Sequence, residues 1–163
     1  MAGAMTGFFM NVFKDNPPKI CIVEPNEANC IFRSAQRTDG NICTVSGDLN
    51  TIMAGLACGE PCDIGWKIIK HYARNYASVA NEIAAKGMRV LGNPLGDDPR
   101  IISGESGAAA FGFAVEVLLR NEYNDIKTQL ELDETSQLLF ISTEGDTDRD
   151  NYRRIVWDGA YSS

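Results

Sequence analysis

Short apolar runs alternate with helical patterns along this sequence, and that alternation predicts an α/β fold. Lys19–Val23 is a β-branched apolar run that follows two prolines, which predicts a strand buried on both faces. Gln137–Ser142 contains Leu-Leu-Phe-Ile and predicts a second strand, and Tyr72–Val79 is compatible with a short third one. We therefore expect a partial open parallel sheet with flanking helices.

Segments with apolar residues at helical spacing separate these runs, and Glu105–Arg120 is the longest of them. Asn26 is expected to cap one helix and Asp63 another, since both side chains accept hydrogen bonds from exposed backbone N–H groups. The predicted helices are Met1–Phe13, Asn26–Gln36, Asn50–Ala57, Gly65–His71, Ala80–Leu91, Glu105–Arg120, Asn124–Leu130 and Asn151–Trp157. Polar stretches with turn-forming residues predict loops at 38–49, 92–99 and 143–150.

The chain opens on an apolar helical pattern with no capping residue or loop before it. Met1–Phe13 has no charge ahead of Lys14, unlike a secretory signal, and it is shorter than the roughly 20 apolar residues of a membrane span. Domains rarely begin inside their core, and two clear strands are few for an α/β domain of 163 residues. We therefore expect residues 1–163 to be a single carboxyl-terminal segment of a longer protein.

The composition narrows the class of protein. Apolar residues make up 44% and charged residues 23% of this 17.8 kDa chain, which is usual for one folded domain and unlike a disordered one. The formal net charge is −7, so nucleic acid and anionic membranes are not expected partners, because both attract basic surfaces. A local anion site built from backbone N–H groups is still compatible with that charge.

The five cysteines favour reduced thiols in a cytoplasmic protein over a secreted disulfide framework, because their number is odd and their density is low. Cys58 and Cys62 have a spacing that two zinc ligands can use, but a structural zinc site needs about four ligands and the only histidine is His71. Asp146–Asp150 begins like a calcium loop but lacks the glycine and the glutamate that this loop needs further on. We expect no metal site.

Two kinds of position are candidates for ligand binding. Small residues open helices at Ala2 and Gly3 and at Ser103–Ala108, where free N–H groups can face an anion such as a phosphate, or where backbones can pack closely. Ser142 and Thr143 follow the second predicted strand, and ligands of open α/β sheets bind beyond the carboxyl ends of strands. Capping of the following turn by either hydroxyl is the structural alternative.

The motifs exclude two common enzyme classes and point to a third. The sequence has no Gly-x-Ser-x-Gly elbow and no phosphate-binding Gly-x-x-x-x-Gly-Lys-Ser/Thr loop. Five runs in a shared order instead resemble the diaminopropionate ammonia-lyases, which are fold-type II enzymes that depend on pyridoxal phosphate (PLP). The runs are Ile22–Pro25, Ser46–Pro61, Lys86–Arg100, Ser103–Gly107 and Ile141–Asp148.

The resemblance implies roles for four residues. The family carries PLP on a lysine that lies upstream of the part matched here, so no catalytic residue is expected in this chain. The family's phosphate-binding loop runs into a helix like the first one here, which implies that Ala2 and Gly3 lie near the phosphate. A Ser or Thr at the strand end contacts the pyridine nitrogen in this family. Ser142 matches that place, with Thr143 beside it as the alternative.

The resemblance also implies a reaction, the α,β-elimination of 2,3-diaminopropionate to pyruvate and two molecules of ammonia. The implied enzyme is a cytoplasmic homodimer, and this segment alone is expected to be inactive and to retain no PLP. Two other interpretations stay open: a non-catalytic half-domain that self-associates through its sheet edge, and another β-eliminating PLP enzyme such as a threonine or serine dehydratase. The run Lys86–Arg100 is specific to the ammonia-lyases and favours the first interpretation.

Overall fold

The computed structural model describes residues 1–162, in which seven α-helices accompany a small parallel sheet of two strands. The predicted α/β class is therefore confirmed. In chain order the elements are α1 (Ala2–Val12), β1 (Cys21–Pro25), α2 (Cys30–Ala35), α3 (Asp63–Tyr72), β2 (Asn75–Val79), α4 (Asn81–Gly92), α5 (Glu105–Leu119), α6 (Asn124–Leu130) and α7 (Arg149–Val156). Short 3₁₀ turns are at Asn26–Ala28, Ala54–Leu56 and Asn121–Tyr123.

Most predicted helices are present, but two are shorter than expected. The predicted helix Asn50–Ala57 is only the 3₁₀ turn Ala54–Leu56. The predicted helix Asn26–Gln36 is divided by Asn29, whose backbone angles are not helical, into a 3₁₀ turn and α2. Neither predicted cap is confirmed, because Asn26 lies inside the 3₁₀ turn and Asp63 is the first residue of α3.

A residue of the preceding strand closes the amino end of α2. The Glu24 carboxylate accepts hydrogen bonds from the backbone N–H groups of Ile31, at 3.1 Å, and Phe32, at 2.7 Å. These bonds satisfy donors that every helix leaves free in its first turn. Burial raises the pKa of this carboxyl above its usual value, although both hydrogen bonds act in the opposite direction. The amino end of α2 is thus fixed to the carboxyl end of β1.

The prediction of a strand at Gln137–Ser142 is wrong. The segment is extended, but no described residue pairs with its backbone in a ladder. A strand is stable only beside a neighbour that accepts and donates its backbone hydrogen bonds. Its side chains are largely exposed, and one of its contacts is an edge-to-face pair of Phe140 with Phe111, with ring centroids 5.4 Å apart.

The described chain divides into two compact units. The first unit comprises residues 1–51 and 56–78, and its core is formed by Trp66, Ile69 and Ala73 against side chains from β1, α2 and β2. Helix α1 packs on α3 so closely that a Cβ atom on Gly3 would lie 2.6 Å from the Cα atom of Gly65. The far side of α1 is exposed, so the expected burial of this helix holds for one face only.

The second unit comprises residues 52–55 and the chain from Val79 onward. Its centre is the packing of α4 on α5, where a Cβ atom on Gly87 would collide with the carbonyl oxygen of Ala108. A Cβ atom on Gly112 would collide with the carbonyl oxygen of Ile83. The surrounding core is formed by Ala85, Met88, Ala108, Tyr152 and Ile155.

No described helix has the length and apolar character that a membrane crossing needs.

Candidate functional site

Ser142 lies in the second unit, where its hydroxyl is in contact with the buried hydroxyl of another serine. The Oγ atoms of Ser142 and Ser103 are 2.8 Å apart, and Ser103 is fully buried whereas Ser142 is exposed. The Ser142 hydroxyl also lies 3.3 Å from the backbone oxygen of Glu144, to which it can donate. If Ser103 donates to Ser142, the hydrogen of Ser142 is free for Glu144 or for an external acceptor.

Two glycines allow the loop after Ser142 to approach α5. A Cβ atom on Gly107 would lie 2.6 Å from the Ser103 Oγ atom and 2.9 Å from the Ser142 Oγ atom. A Cβ atom on Gly104 would lie 2.6 Å from the backbone oxygen of Gly145. The close backbone packing that these small residues predict is therefore present, and the partner is the loop at 142–145.

Glu144 fixes this loop to the amino end of α5. Its Oε2 atom accepts from the backbone N–H of Ser106 at 2.8 Å, and its backbone oxygen accepts from the N–H of Gly104 at 3.0 Å. In addition, the side chain of Asn151 donates to the carboxylate of Glu105, which connects α7 to the start of α5. The chain that follows Ser142 is therefore anchored to the start of α5 at Glu144 and again at Asn151.

Thr143, the alternative to Ser142, is exposed, and its side chain makes no hydrogen bond to any of residues 1–162. Capping of the following turn by the Thr143 hydroxyl, which is one form of the structural alternative, is therefore absent within the described chain. Ser142, by contrast, is positioned by Ser103. Geometry favours Ser142 over Thr143 as the hydroxyl that is held in one orientation.

Ala2 and Gly3 lie in the first unit, at the beginning of α1. Met1 precedes the helix without a side-chain cap, and no acidic residue lies in the first turn. The first backbone hydrogen bond of this helix runs from the N–H of Met5 to the oxygen of Met1 at 3.1 Å, so the amides before Met5 project from the helix end. Gly3 has a structural role as well, since Gly65 of α3 leaves no room for a side chain.

Sequence reasoning missed the two residues that position Ser142. The sequence places Ser103 in a small-residue turn that is a candidate for ligand binding, and Glu144 in a polar loop, and it does not indicate that either contacts Ser142. Their contacts join parts of the chain that are 38 and 39 residues apart. No local spacing reports such contacts, although the glycines at 104 and 107 signal that some backbone approaches α5 closely.

The cysteines form no disulfide in the described chain, and no group of three or more metal-ligating side chains is found there. Burial raises the pKa of the Cys21 thiol to about 11. Burial, with a further contribution from the Glu24 carboxylate, raises the pKa of the Cys30 thiol to about 12. Cys58 and Cys62 are exposed.

Known proteins resemble this chain over nearly its whole length. A protein-family model described as "Pyridoxal-phosphate dependent enzyme" matches residues 1–130. Diaminopropionate ammonia-lyase from Escherichia coli (strain K12) is 46% identical over 162 residues, which is 99% of this chain and 40% of that protein. The present chain therefore spans less than half the length of this relative.

Solved structures agree in fold. The crystal structure of the E. coli diaminopropionate ammonia-lyase in complex with D-serine superposes with a TM-score of 0.88 and 43% identity, and the match covers 99% of this chain and 39% of that one. The processed form of threonine deaminase isoform 2 from Solanum lycopersicum gives a TM-score of 0.73 at 19% identity, covering 94% and 39%. The second likeness shows a shared fold alone.

Proposed function

Because this chain belongs to the pyridoxal-phosphate dependent enzyme family, we propose that it forms the carboxyl-terminal portion of a diaminopropionate ammonia-lyase. The reaction is the α,β-elimination of 2,3-diaminopropionate to pyruvate and two molecules of ammonia. The observation that supports this function is the 46% identity to the E. coli ammonia-lyase across 162 residues. The most specific of the matching sequence runs, Lys86–Arg100, supports the same substrate over threonine or serine.

Bound PLP withdraws electrons from the Cα atom of an amino acid and so makes its α-proton acidic. Ser142 donates its hydroxyl hydrogen to the pyridine nitrogen in this proposal. The fit is supported by Ser103, which is buried 2.8 Å away and can supply the hydrogen that Ser142 accepts. A neutral hydroxyl leaves the nitrogen unprotonated, and elimination tolerates the weaker electron withdrawal because the leaving group departs promptly. Thr143 is the alternative donor.

Ala2 and Gly3 bind the phosphate in this proposal, through their backbone N–H groups at the amino end of α1. The support is the uncapped first turn, in which neither a side chain nor an acidic residue competes for these donors. The positive end of the helix dipole favours an anion at the same place. In this proposal the phosphate accepts the backbone hydrogen bonds that a capping side chain would otherwise accept.

The proposal assigns no catalytic residue to this chain. The lysine that carries PLP, and the acidic groups that assist deprotonation, are supplied by the remainder of the enzyme. The six lysines here, at 14, 19, 67, 70, 86 and 127, do not match the family's lysine motif. By itself the chain is therefore inactive and retains no PLP.

The proposed enzyme is a cytoplasmic homodimer that acts on a small amino acid, without nucleic-acid or membrane partners. The five free cysteines support a reducing compartment. The net charge of −7 opposes binding to polyanionic surfaces. Dimerisation is supported by large apolar side chains that are exposed in both units, among them Phe8 and Leu119.

A chimaeric enzyme tests the function. The part of the E. coli relative that this chain does not match is joined to residues 1–163, and the intact E. coli enzyme serves as the control for folding. We expect the chimaeric enzyme to retain an absorbance band at roughly 410–430 nm, which is typical of PLP bound to a lysine, and to release pyruvate from 2,3-diaminopropionate. Residues 1–163 alone should show neither property after dialysis against buffer without PLP.

The same experiment can reject the proposal. A chimaeric enzyme that retains PLP and deaminates threonine or serine, but leaves 2,3-diaminopropionate unchanged, would identify a dehydratase instead. A lysine-dependent PLP band in residues 1–163 alone would contradict the assignment of the cofactor lysine to the rest of the enzyme.

A further inference from the structure

The first unit contains an open cleft of about 550 Å³ that Ala2 and Gly3 do not line. It is bounded by the end of α2 and the loop that follows, by one face of α3, and by the residues that lead into β2. A cavity of this volume is within the range of small-molecule sites in proteins. Neither the cofactor assignment nor the proposed reaction uses it.

The cleft collects positive charge in an acidic chain. Four of the 15 lysines and arginines line it, together with the only histidine, and no carboxylate does. These side chains are Arg37, Lys67, Lys70, His71 and Arg74. A net charge of −7 would not by itself place so many cations around one cavity. Their concentration favours an anionic ligand.

Within the described chain, two of the four lysine and arginine side chains that line the cleft have no carboxylate partner. Arg37 pairs with Asp39, and Lys67 pairs with Asp63 at 2.7 Å. Within residues 1–162, neither Lys70 nor Arg74 has a carboxylate partner. Lys70 and Arg74 are therefore the two cations of the cleft that an anionic ligand can pair with.

The wall of the cleft is held by the backbone oxygen of Gly40. The buried Trp66 donates to this oxygen through its Nε1 atom at 3.3 Å, and Lys70 donates to it through its Nζ atom at 3.4 Å. Gly40 adopts a left-handed conformation, with φ of +70°, which suits glycine. Another face of α3, with Gly65 and Ile68, packs against α1. The indole, the lysine and the loop thus form one connected wall.

We propose that this cleft binds a small multivalent oxyanion of the phosphate or pyrophosphate class. The planar guanidinium of Arg74 matches two oxygens of such an anion at once, and the ammonium of Lys70, which lies beside the Gly40 carbonyl, adds a point charge. The chain's excess negative charge repels anions elsewhere on its surface, so binding should concentrate here. This site is independent of the proposed lyase reaction, and it is present in residues 1–163 alone.

Inorganic pyrophosphate is the probe, titrated into residues 1–163 by calorimetry at low salt. A Trp157→Phe variant leaves Trp66 as the only indole, so its fluorescence locates the binding event. We expect one saturable event per chain, a change in Trp66 emission over the same concentration range, and affinity that falls several-fold as salt screens the charges. Absence of saturable binding at low salt would overturn the proposal.

Two double variants of equal charge separate the cleft from the general surface. Lys70→Gln with Arg74→Gln should weaken pyrophosphate binding at least tenfold. Lys14→Gln with Arg153→Gln, which are exposed cations outside the cleft, should keep the affinity within twofold. All four side chains are exposed, and circular dichroism checks that both variants keep the fold. Equal losses in the two variants would show nonspecific attraction and reject the site.

Discussion

At Ser142 the orientation of one hydroxyl is fixed by another that has no access to water. We predict that Ser142→Ala in the chimaeric enzyme lowers turnover at least several-fold and weakens PLP retention, while the fold survives. The physical reason is the loss of the proposed hydrogen bond to the ring nitrogen, worth about 0.5–1.5 kcal/mol net. Steady-state kinetics and equilibrium dialysis of PLP measure the two effects.

Thr143→Ala is the matched control for that prediction. Its hydroxyl makes no hydrogen bond in the described chain, so removing it should leave turnover and PLP affinity unchanged. The opposite result, normal Ser142→Ala and impaired Thr143→Ala, would transfer the assignment to Thr143. It would also show that Ser103 holds Ser142 only for structural reasons.

The cysteines should differ widely in reactivity. Their burial raises the pKa of Cys21 to about 11 and that of Cys30 to about 12, so at pH 8 roughly a thousandth or less of either thiol is ionised. We predict that iodoacetamide labels the exposed Cys58 and Cys62 first, and Cys21 and Cys30 last. Peptide mass spectrometry follows the labelling. In 6 M urea all five should react at similar rates. Early labelling of Cys30 in the folded chain would contradict its burial.

Among the helices, the contact between α4 and α5 depends most directly on glycine. A methyl group on Gly112 would meet the carbonyl oxygen of Ile83, a backbone atom that cannot move unless the helices separate. Overpacking of this kind costs about 1–3 kcal/mol, and we predict a loss near the upper end for Gly112→Ala. Urea unfolding followed by circular dichroism measures it.

Gly7→Ala is the corresponding control in another helix. A Cβ atom there would lie 3.7 Å from the side chain of Ile68, which is ordinary van der Waals contact. Alanine also favours helix over glycine by up to about 1 kcal/mol. We therefore expect Gly7→Ala to be neutral or stabilising. A similar loss for both substitutions would mean that the α4–α5 contact is not the cause.

Elements whose stability is local were predictable from the sequence, and those that depend on distant neighbours were not. Helices α4, α5 and α6 lie within one residue of their predicted bounds, because apolar spacing and adjacent turn formers define them. The segment Gln137–Ser142 has the composition of a strand, but a ladder needs a partner that composition does not reveal. The pair of Ser103 with Ser142 was hidden for the same reason, since 39 residues separate them.

At the scale of the whole molecule, several large apolar side chains of the described residues are exposed. Leu119, Leu139 and Trp157 are 73%, 71% and 80% exposed, and Phe8 is exposed on α1. Where such side chains adjoin on a surface, they mark places that bind other protein. We predict that residues 1–163 self-associate at micromolar concentration, as measured by sedimentation velocity. A monomer that also fails to bind a hydrophobic dye would contradict this prediction.

The two hydrogen bonds from the first turn of α2 to the Glu24 carboxylate allow local opening in the first unit to be measured. The amide protons of Ile31 and Phe32 exchange with deuterium only when the carboxylate releases them. Release occurs when the Glu24 side chain turns away or when β1 moves from α2. The exchange rates of these two amides therefore measure how often the carboxylate leaves the helix end, without any substitution in the chain.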